Sequence, residues 1–579
     1  MTSALFRRLS WIALALPVAW AVLLVLKFAV NLPEWDAWPI TARPLLHWLD
    51  GKLTFAELNE QLVSTRLLLP RLFHLGLARL TGWNVRAECL MCVLANIPVL
   101  ALLVLVLRRT FPDQHGRVWL LGLLFSLATF SPDRSPLWLF PSLLCYGLLN
   151  VSIALLAWAF VLRTGPAGRT GLGLVAVGLA CLSYVAGWPA WGLLGWLVLG
   201  EFVQGRMGKK QLVVAAGLCA LALAVLAVTY FPGFHSSGTT PVNQKVTLLG
   251  YAAYFFEWLA APFAMLQPGL EREGVIRWEK VIAHVLGPVG FGAWLWLAVA
   301  ALRKPEWRGR AWVWIGLGGF GMVGGVLVAL GRASFDPLSA FWPRYLALSF
   351  WFWASLAVLA SLVWNRKALA GLVLLWPLAV AHIDGLRDMR ADSLTSKMNH
   401  AALQMICVAP EPALLDSLLP QADGGALLGR MADAIDKHGY LRPRLMTSAK
   451  VAEADVVKNE CYEGALEDGD NSSGEVTIKG WALDHRTRGP VDAVAISVQP
   501  EGGEETWFGL AQKRTKGKQA RKSWDKRDPM VRVGWVFESK APEKLASRRP
   551  LPKGSLVFRA YVFDTERQRF VKLPGQYRR

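Results

Sequence analysis

The residues best suited to chemistry lie in two short segments that combine charged groups with aromatic rings. In the first, residues 31–39, Glu34 and Asp36 are two positions apart and stand beside Trp35 and Trp38. A carboxylate that is partly desolvated beside indole rings has a raised pKa and can act as a general base. Because tryptophan rings can stack on a sugar ring, the segment is a candidate for a general base beside a sugar-binding surface.

A plainer interpretation of the same segment stays open. Trp35 and Trp38 are also typical of the aromatic belt that anchors membrane proteins at the lipid–water interface. In that case Glu34 and Asp36 are hydrated acids with no chemical role. The spacing alone does not decide between the two interpretations.

The second segment, residues 331–345, contains Arg332, Arg344 and Tyr345 between two apolar runs. Two arginines on the outer side of a membrane run against the usual excess of cations on the cytoplasmic side. Since a guanidinium grips phosphate through two parallel hydrogen bonds, the segment predicts a phosphate site. Pairing with Asp336, or contact with lipid phosphates, explains the same spacing equally well.

The elements that must position these residues are membrane helices. Of the 579 residues, 54% are hydrophobic and only 18% are charged, and the mean hydropathy is +0.35. Soluble proteins carry about a quarter charged residues, so this composition excludes an ordinary soluble chain, and it also excludes a disordered one. The net charge of +20 does not indicate a nucleic-acid partner, because many of the cations lie between apolar runs.

The apolar runs predict about eleven membrane spans, since a helix needs about 20 residues to cross roughly 30 Å of hydrocarbon. The longest run is interrupted by Gly187-Trp188-Pro189, which predicts two short spans with a tip at Gly187. The runs are 11–26, 89–107, 118–130, 137–162, 171–200, 211–231, 281–302, 311–331, 345–364 and 368–383.

The connections between the runs set the orientation, because lysine and arginine collect on the cytoplasmic side. This rule predicts a cytoplasmic N-terminus, with Asp36 and the C-terminal region on the outer side. Residues 251–265 are expected not to cross, since another crossing would invert every later loop. The cationic connections contain Arg108-Arg109, Arg163, Arg169, Arg206, Lys209-Lys210, Arg303-Lys304 and Arg366-Lys367.

Beyond the last run the pattern changes from membrane spans to extracytoplasmic domains. We predict a transmembrane domain over 1–386, a helical connector over 387–463 and a β-sandwich over 464–579. In the last of these, segments such as 494–498 and 558–562 alternate apolar and polar residues, as half-buried strands do.

Two cysteines, Cys407 and Cys461, flank a helical segment within this connector. In an oxidising compartment they would form a disulfide that closes a long loop. The alternative is two unpaired thiols. The other five cysteines lie inside apolar runs, where a thiol behaves as a small hydrophobe.

In their order along the chain, these motifs resemble the GT-C fold, the polytopic membrane glycosyltransferases. An acidic motif after the first span, an interfacial helix within 53–83, a polar outer loop and a Gly-Trp-Pro tip follow one another as in that family. Gly331-Arg332 followed by Arg344-Tyr345 is similar to a bacterial, uncharacterised branch of it. The resemblance covers about residues 11–444.

The resemblance implies a bacterial inner-membrane enzyme that transfers a sugar, with inversion, from a polyprenyl-phosphate donor to an envelope glycan or lipid acceptor. Asp36 matches the general base, and Glu34 beside it allows a divalent cation, Mg²⁺ or Mn²⁺, to be held by both carboxylates. The C-terminal domain would lie in the periplasm. The donor phosphate would be bound by Arg332, Arg344 and Tyr345, and the sugar or acceptor by Trp35, Trp38, Trp188, Asn59 and Glu60.

Two other classes of protein stay open. A transporter of lipid-linked glycan would need a polar pathway, and the nearly charge-free spans weigh against it. A non-enzymatic envelope scaffold would use the β-sandwich to recruit partners. Loss of activity in Asp36→Asn with retained binding would separate the enzyme from the scaffold.

Overall fold

The computed structural model describes residues 3–63, 65–235, 246–263, 275–334, 337–364, 375–419, 426–458, 461–472, 475–515, 533–539, 551–552 and 554–579. The chain forms two compact units. The first unit contains Met1–Ala29, Thr54–His74 and Ala87–Met389, and the second contains Val30–Leu53, Leu75–Arg86 and Arg390–Arg579. The segment with Glu34 and Asp36 therefore belongs to the same unit as the C-terminal region.

Helices make up most of the first unit and part of the second. Three of them, α4, α5 and α17 below, continue across the division between the units. In chain order the helices are α1 (Ser3–Phe28), α2 (Arg43–Leu49), α3 (Phe55–Leu58), α4 (Leu68–Thr81), α5 (Val85–Leu94), α6 (Asn96–Thr110), α7 (His115–Thr129), α8 (Pro136–Leu139), α9 (Leu144–Ala159), α10 (Pro166–Ser183), α11 (Ala190–Val203), α12 (Lys209–Tyr230), α13 (Leu248–Ala260), α14 (Val275–Arg303), α15 (Pro305–Arg332), α16 (Leu346–Val363), α17 (Leu375–Gln404), α18 (Pro412–Asp416) and α19 (Ala426–Lys437).

Within the described residues, eight helical stretches are long and apolar enough to cross a membrane. On α12 the side chains of Val213, Leu221 and Val228 are 71%, 62% and 68% exposed, which is unfavourable in water and expected in lipid. The stretches are Arg8–Phe28, Val85–Thr110, Pro141–Ala159, Pro166–Ser183, Lys209–Tyr230, Ile282–Arg303, Pro305–Arg332 and Pro343–Val363.

Three of the eleven predicted spans are not among these eight. The run 118–130 forms α7, which has 15 residues, and the second half of the run 171–200 forms α11, which has 14. At 1.5 Å per residue such helices are only about 21–23 Å long, shorter than the hydrocarbon layer. Part of the run 368–383 lies outside the described residues.

The structure agrees with two predictions about where the chain does not cross the membrane, the break at Gly187 and the segment within 251–265. The chain leaves α10 at Ser183, makes a 3-10 turn over Val185–Gly187 and enters α11 at Ala190. A Cβ at Gly187 would lie 2.2 Å from the carbonyl oxygen of Ala180, so this close turn requires glycine. The helix α13 has 13 residues, about 20 Å, which is too short for a full crossing.

The helix predicted to lie in the membrane interface is α4. Its apolar face is exposed and its polar face is buried, the opposite of a surface helix in a soluble protein. Leu72, Phe73 and Leu80 are exposed, whereas Arg71 and His74 on the other face are buried. An exposed apolar face opposite a buried polar face suits contact with the apolar part of a bilayer.

The C-terminal part of the second unit contains two antiparallel sheets. One has the strand order β11-β10-β6-β7, with β12 beside β10, and the other β3-β4-β9-β8, with β5 beside β4. A two-stranded pair, β1 (Gln61–Leu62) and β2 (Thr65–Arg66), lies in the first unit. The others are β3 (Tyr462–Ser472), β4 (Glu475–Asp484), β5 (Gly489–Pro490), β6 (Ala493–Pro500), β7 (Thr506–Leu510), β8 (Lys513–Thr515), β9 (Gly534–Glu538), β10 (Leu556–Asp564), β11 (Arg569–Lys572) and β12 (Tyr577–Arg578).

Residues from both sheets share one hydrophobic core, as the prediction of a β-sandwich requires. Ile478 of β4 and Phe537 of β9 belong to the same buried cluster as Ile496 of β6 and Phe558 of β10. All four side chains are fully buried. Burial between two facing sheets is what stabilises a sandwich of this size.

Candidate functional site

The segment after α1 is held as a tight turn by its own backbone. The amide of Ala37 donates to the carbonyl of Glu34 at 3.0 Å, and the amide of Ile40 donates to the carbonyl of Asp36 at 2.9 Å. The amide of Trp35 donates to the carbonyl of Leu418 at 2.6 Å, within the same unit. Trp35 has φ +51°, an unusual value for a residue with a side chain, which marks a constrained turn.

Glu34 is the chemically perturbed group of this turn. Its side chain is partly buried, and desolvation raises its pKa from an ordinary 4.5 to about 7. Hydrogen bonds from Ser396 and Asn399 oppose that rise, while the nearby carboxylate of Asp392 adds to it. A carboxyl group with a pKa near neutrality can both accept and return a proton, which is the property a general base needs.

Asp392, on α17, is a second carboxyl group with a raised pKa that sequence reasoning missed. Burial raises its pKa from 3.8 to about 6. The pair of Glu34 and Asp392 therefore titrates close to neutral pH, whereas Asp36 is exposed to solvent. The aspartates of α17 were visible in the sequence, but Asp392 and Glu34 are more than 350 residues apart, and no motif spacing connects residues that far apart.

The two tryptophans of the turn have different environments. Trp35 is 52% exposed and is free to stack on a ligand ring. Trp38 is fully buried, with its indole N–H donating to the carbonyl of Pro33 at 3.1 Å and its ring meeting that of Trp83 edge to face at 5.9 Å. The predicted sugar contact through Trp38 therefore needs correction, because a ring without exposed surface packs the turn instead.

Arg344 is the centre of a second group of predicted residues, in the first unit. Pro343–Tyr345 form a 3-10 turn immediately before α16. The guanidinium lies 4.0 Å from the centre of the Trp342 ring and 5.3 Å from that of Tyr345. Aromatic faces attract a cation without neutralising it, so Arg344 keeps its charge for another partner.

Two tyrosines that sequence reasoning missed complete the surroundings of Arg344. The hydroxyl of Tyr146 on α9 donates to that of Tyr184 at 3.0 Å, and their rings are 4.7 Å apart. Both tyrosines interact electrostatically with Arg344. The available signals were a hydroxyl inside the apolar run 137–162 and a tyrosine three residues before Gly187 of the Gly-Trp-Pro tip.

The charge of Arg344 has no carboxylate partner within the described ranges. The groups that act on it electrostatically are Tyr146, Tyr184 and Tyr345, and its Nε is buried without a hydrogen-bond acceptor. A largely buried cation is unfavourable unless an anion or several acceptors surround it. The arrangement can therefore bind an anionic group such as phosphate.

A buried arginine supports the turn that carries Arg344. Arg134, in the 3-10 turn Pro132–Arg134, donates to the carbonyl of Leu346 at 3.2 Å and lies 5.2 Å from the Phe350 ring. Burial lowers the pKa of Arg134 to about 10, so this group is still charged at neutral pH. Its contact with the first residue of α16 fixes the end of the turn on which Arg344 stands.

The remaining predicted residues of the first unit fall into separate places. Arg332 is the half-buried last residue of α15, and its predicted partner Asp336 lies outside the described residues. Trp188 packs against Tyr230 and Phe231, with ring centres 5.2 and 4.8 Å away.

Asn59 and Glu60 lie in a loop that two arginines hold by its backbone. The buried Arg71 donates to the carbonyls of Leu58 at 3.0 Å and Glu60 at 2.6 Å. Arg66 donates to the carbonyl of Asn59 at 2.5 Å. The side chain of Glu60 is exposed, and its backbone carbonyl is held in place by Arg71.

The predicted disulfide between Cys407 and Cys461 is not formed. Cys407 lies exposed in the turn that follows α17, whereas Cys461 directly precedes β3, where its carbonyl accepts from the amide of His485 at 2.8 Å. The sheet therefore fixes the backbone of Cys461 at a place set by strand pairing. Burial, together with Asp433 and Asp436, raises the pKa of the Cys407 thiol.

The donor set for a divalent cation is small. Among the residues that the structure describes, no group of three or more His, Cys, Asp or Glu side chains could hold a metal ion. Glu34 and Asp36 alone would leave most of the coordination of Mg²⁺ to water and substrate. The cation near these two residues remains a prediction.

Comparison of the chain with family models, with curated proteins and with solved structures found no match. What defines the protein is its own architecture. It is a largely helical chain in which the described residues include eight helical stretches long and apolar enough to cross a membrane, followed by a C-terminal β-sheet region.

Proposed function

We propose that this protein is a membrane glycosyltransferase that takes a sugar from a polyprenyl-phosphate donor. The observation that carries the proposal is the environment of Arg344, a largely buried guanidinium with aromatic neighbours and no carboxylate partner within the described residues. A phosphate at the end of a lipid chain would supply the missing negative charge beside an apolar helical surface.

The proposed reaction begins at the turn after α1. Asp36 takes the proton from an acceptor hydroxyl, and the oxygen attacks the anomeric carbon of the sugar. The bond from that carbon to the phosphate oxygen breaks, the polyprenyl phosphate leaves with the electron pair, and the configuration at the carbon is inverted. Glu34, with its pKa raised to about 7, supports this role by accepting or sharing the proton.

The leaving phosphate is the group that needs the largest stabilisation. Arg344 is the proposed ligand of this phosphate, with Arg332 and the hydroxyl of Tyr345 as further donors. Charge that develops on a leaving group in a dry site is stabilised most by donors already in position. The stacked rings of Trp342 and Tyr345, 6.2 Å apart, keep the guanidinium in place before the donor arrives.

The proposed location is the inner membrane of a bacterium, with the N-terminus in the cytoplasm. The loop charges put Asp36, Arg344 and the β-sandwich on the outer side. The acceptor would then be a glycan or lipid of the cell envelope, and the β-sandwich would bind it.

The test is transfer of labelled sugar by the full chain reconstituted in nanodiscs with a panel of polyprenyl-phosphate hexoses. Wild type should transfer at least one of them, and Asp36→Asn should lose at least about 10²-fold of the rate. Asp50→Asn is the matched control, because Asp50 is an exposed acid of the same unit that pairs with Lys52. Equal loss in both variants, or normal turnover by Asp36→Asn, would contradict the assignment.

A further inference from the structure

The first unit contains a polar cavity of about 190 Å³ at the ends of four helices. Arg109 is in the last turn of α6, Arg169 in the first turn of α10 and Glu201 in the last turn of α11. The cavity is closed by Gly309 and Trp312 from the start of α15. A water needs only about 10–15 Å³ of such space, so the cavity has room for a phosphate group.

A buried carboxylate organises two arginines around this cavity. Glu201 is 1% exposed and accepts from Nη1 of Arg169 at 2.6 Å and from Nη2 of Arg206 at 2.5 Å. Arg206 also approaches it through Nε at 3.1 Å. Because one carboxylate serves two guanidiniums, the triad retains one positive charge.

A third arginine increases the net positive charge of the cavity. Arg109 lines the same cavity and forms no ion pair within the described residues, so the site as a whole carries three cations and one anion. Two buried donors also lack a hydrogen-bond acceptor, Nε of Arg169 and Nε2 of Gln204. Buried donors of this kind are rare, and together with the surplus charge they point to an anion with several oxygen acceptors.

The other wall of the cavity is apolar, which distinguishes a lipid from a free ion. Phe160, Leu162 and Trp312 form this wall. The indole of Trp312 stacks on that of Trp196 with centres 4.2 Å apart, and each N–H donates to the other residue's carbonyl. Leu199 and Val203 on α11 continue as exposed apolar surface beside the cationic end. A headgroup in the cavity would therefore have its acyl chains beside apolar helices.

This cavity is distinct from the site at Arg344. Its residue Gly309 lies near the start of α15, whereas Arg332 ends the same helix 23 residues later, about 35 Å along its axis. The cavity is lined by arginines of the connections that the loop charges assign to the cytoplasmic side.

We infer that this cavity, formed around Arg109, Arg169 and Arg206, binds the phosphate group of an anionic phospholipid. Basic pockets between membrane helices on the cytoplasmic side suit such headgroups. The inference does not depend on the proposed glycosyltransfer. The same phosphate chemistry could come from inorganic phosphate, and the experiment below separates the two sources.

The experiment is native mass spectrometry of the delipidated full chain with equimolar phosphatidylglycerol and phosphatidylcholine. Wild type should retain phosphatidylglycerol in preference. Arg109→Gln should reduce that retention about fivefold, the effect of one cation near an anionic headgroup. Arg310→Gln is the matched control, because Arg310 is an exposed cation next to Gly309 that does not line the cavity. Thermal midpoints of the variants establish that they are folded.

A second variant, Gly309→Leu, reduces the volume of the cavity without changing its charge. A Cβ at Gly309 would lie 2.9 Å from Oε1 of Gln204, so Gly309→Leu should narrow the cavity and also reduce phosphatidylglycerol retention. Equal retention of the two lipids by wild type would overturn the inference, as would equal behaviour of Arg109→Gln and Arg310→Gln. Displacement of the lipid by excess inorganic phosphate would assign the site to free phosphate and overturn the lipid assignment.

Discussion

Replacing Arg344 by methionine should abolish sugar transfer without destabilising the protein. Loss of a preorganised donor to a charge that develops in the transition state costs about 2.7–4 kcal/mol, or 10²–10³ in rate. Arg344 offers more than one donor, so the upper end of that range is expected. Removal of a buried cation that has no carboxylate partner among the described residues leaves no opposite charge uncompensated, so the thermal midpoint should stay the same or rise.

Arg134→Met is the comparison variant, because it should affect stability in the opposite way. Arg134 donates to the carbonyl of Leu346 and lies on the Phe350 ring, so its removal breaks a buried hydrogen bond and a cation–π contact. That loss should cost about 1–3 kcal/mol of stability and lower the thermal midpoint. Initial rates in nanodiscs and thermal unfolding in detergent are measured on both variants and on Arg344→Lys, which should recover only part of the rate because an ammonium cannot form two parallel hydrogen bonds. A lowered midpoint with normal turnover in Arg344→Met would refute the anion site.

Three further outcomes are expected. Asp36→Asn should lower transfer by about 10²-fold or more while Asp50→Asn does not, as measured by initial rates in nanodiscs. Burial raises the pKa of Glu34 to about 7, so between about pH 4.5 and 7 the folded chain holds a proton that the unfolded chain loses, and stability falls as pH rises through that window. Glu34→Gln should therefore raise the thermal midpoint above about pH 7 and leave it unchanged below about pH 4.5, and an equal rise at both would contradict the raised pKa. Gly200→Ala should destabilise by about 1–3 kcal/mol, because its Cβ would lie 2.2 Å from Nε1 of Trp312, whereas Gly195→Ala on the same helix has open space; denaturation of the two variants compares them directly.

The helices were predictable because hydropathy is a local property. A run of apolar residues becomes a helix in lipid whatever surrounds it, as α12 and α16 illustrate. The same locality limits what hydropathy says about the length of each helix. The runs that form α7 and α11 look like spans by composition, but their helices end after 15 and 14 residues, at lengths that hydropathy does not determine.

The sandwich was predictable as a class, and its pairing was not. Alternation identified 494–498 and 558–562 as strands, and both are found in β6 and β10. These strands are antiparallel neighbours, with Phe558 opposite Val498. That register pairs residues 60 positions apart in the chain. It is set by the packing of the whole core, so the local sequence of one strand does not determine it.

Site residues were predictable where the chemistry is contained in one segment. Arg344 and Tyr345 are adjacent in the sequence and adjacent in the site. Tyr146 comes from α9 and Tyr184 from the residue that follows α10, so no spacing near Arg344 indicated them. Trp38 was assigned to a sugar because burial by Trp83, 45 residues later, is invisible in the segment 31–39.

The partners of each buried arginine in the first unit indicate whether its role is structural or functional. Arg71 and Arg134 donate to backbone carbonyls. Each of these acceptors is part of the chain, so the fold itself provides the reason for the cation. Arg344 differs, since its neighbours are aromatic rings and hydroxyls that leave its charge in place. A buried charge that the protein does not compensate is unfavourable unless a ligand compensates it. The phosphate of the donor would supply that compensating charge while it is bound, and its release would leave Arg344 in position for the next donor.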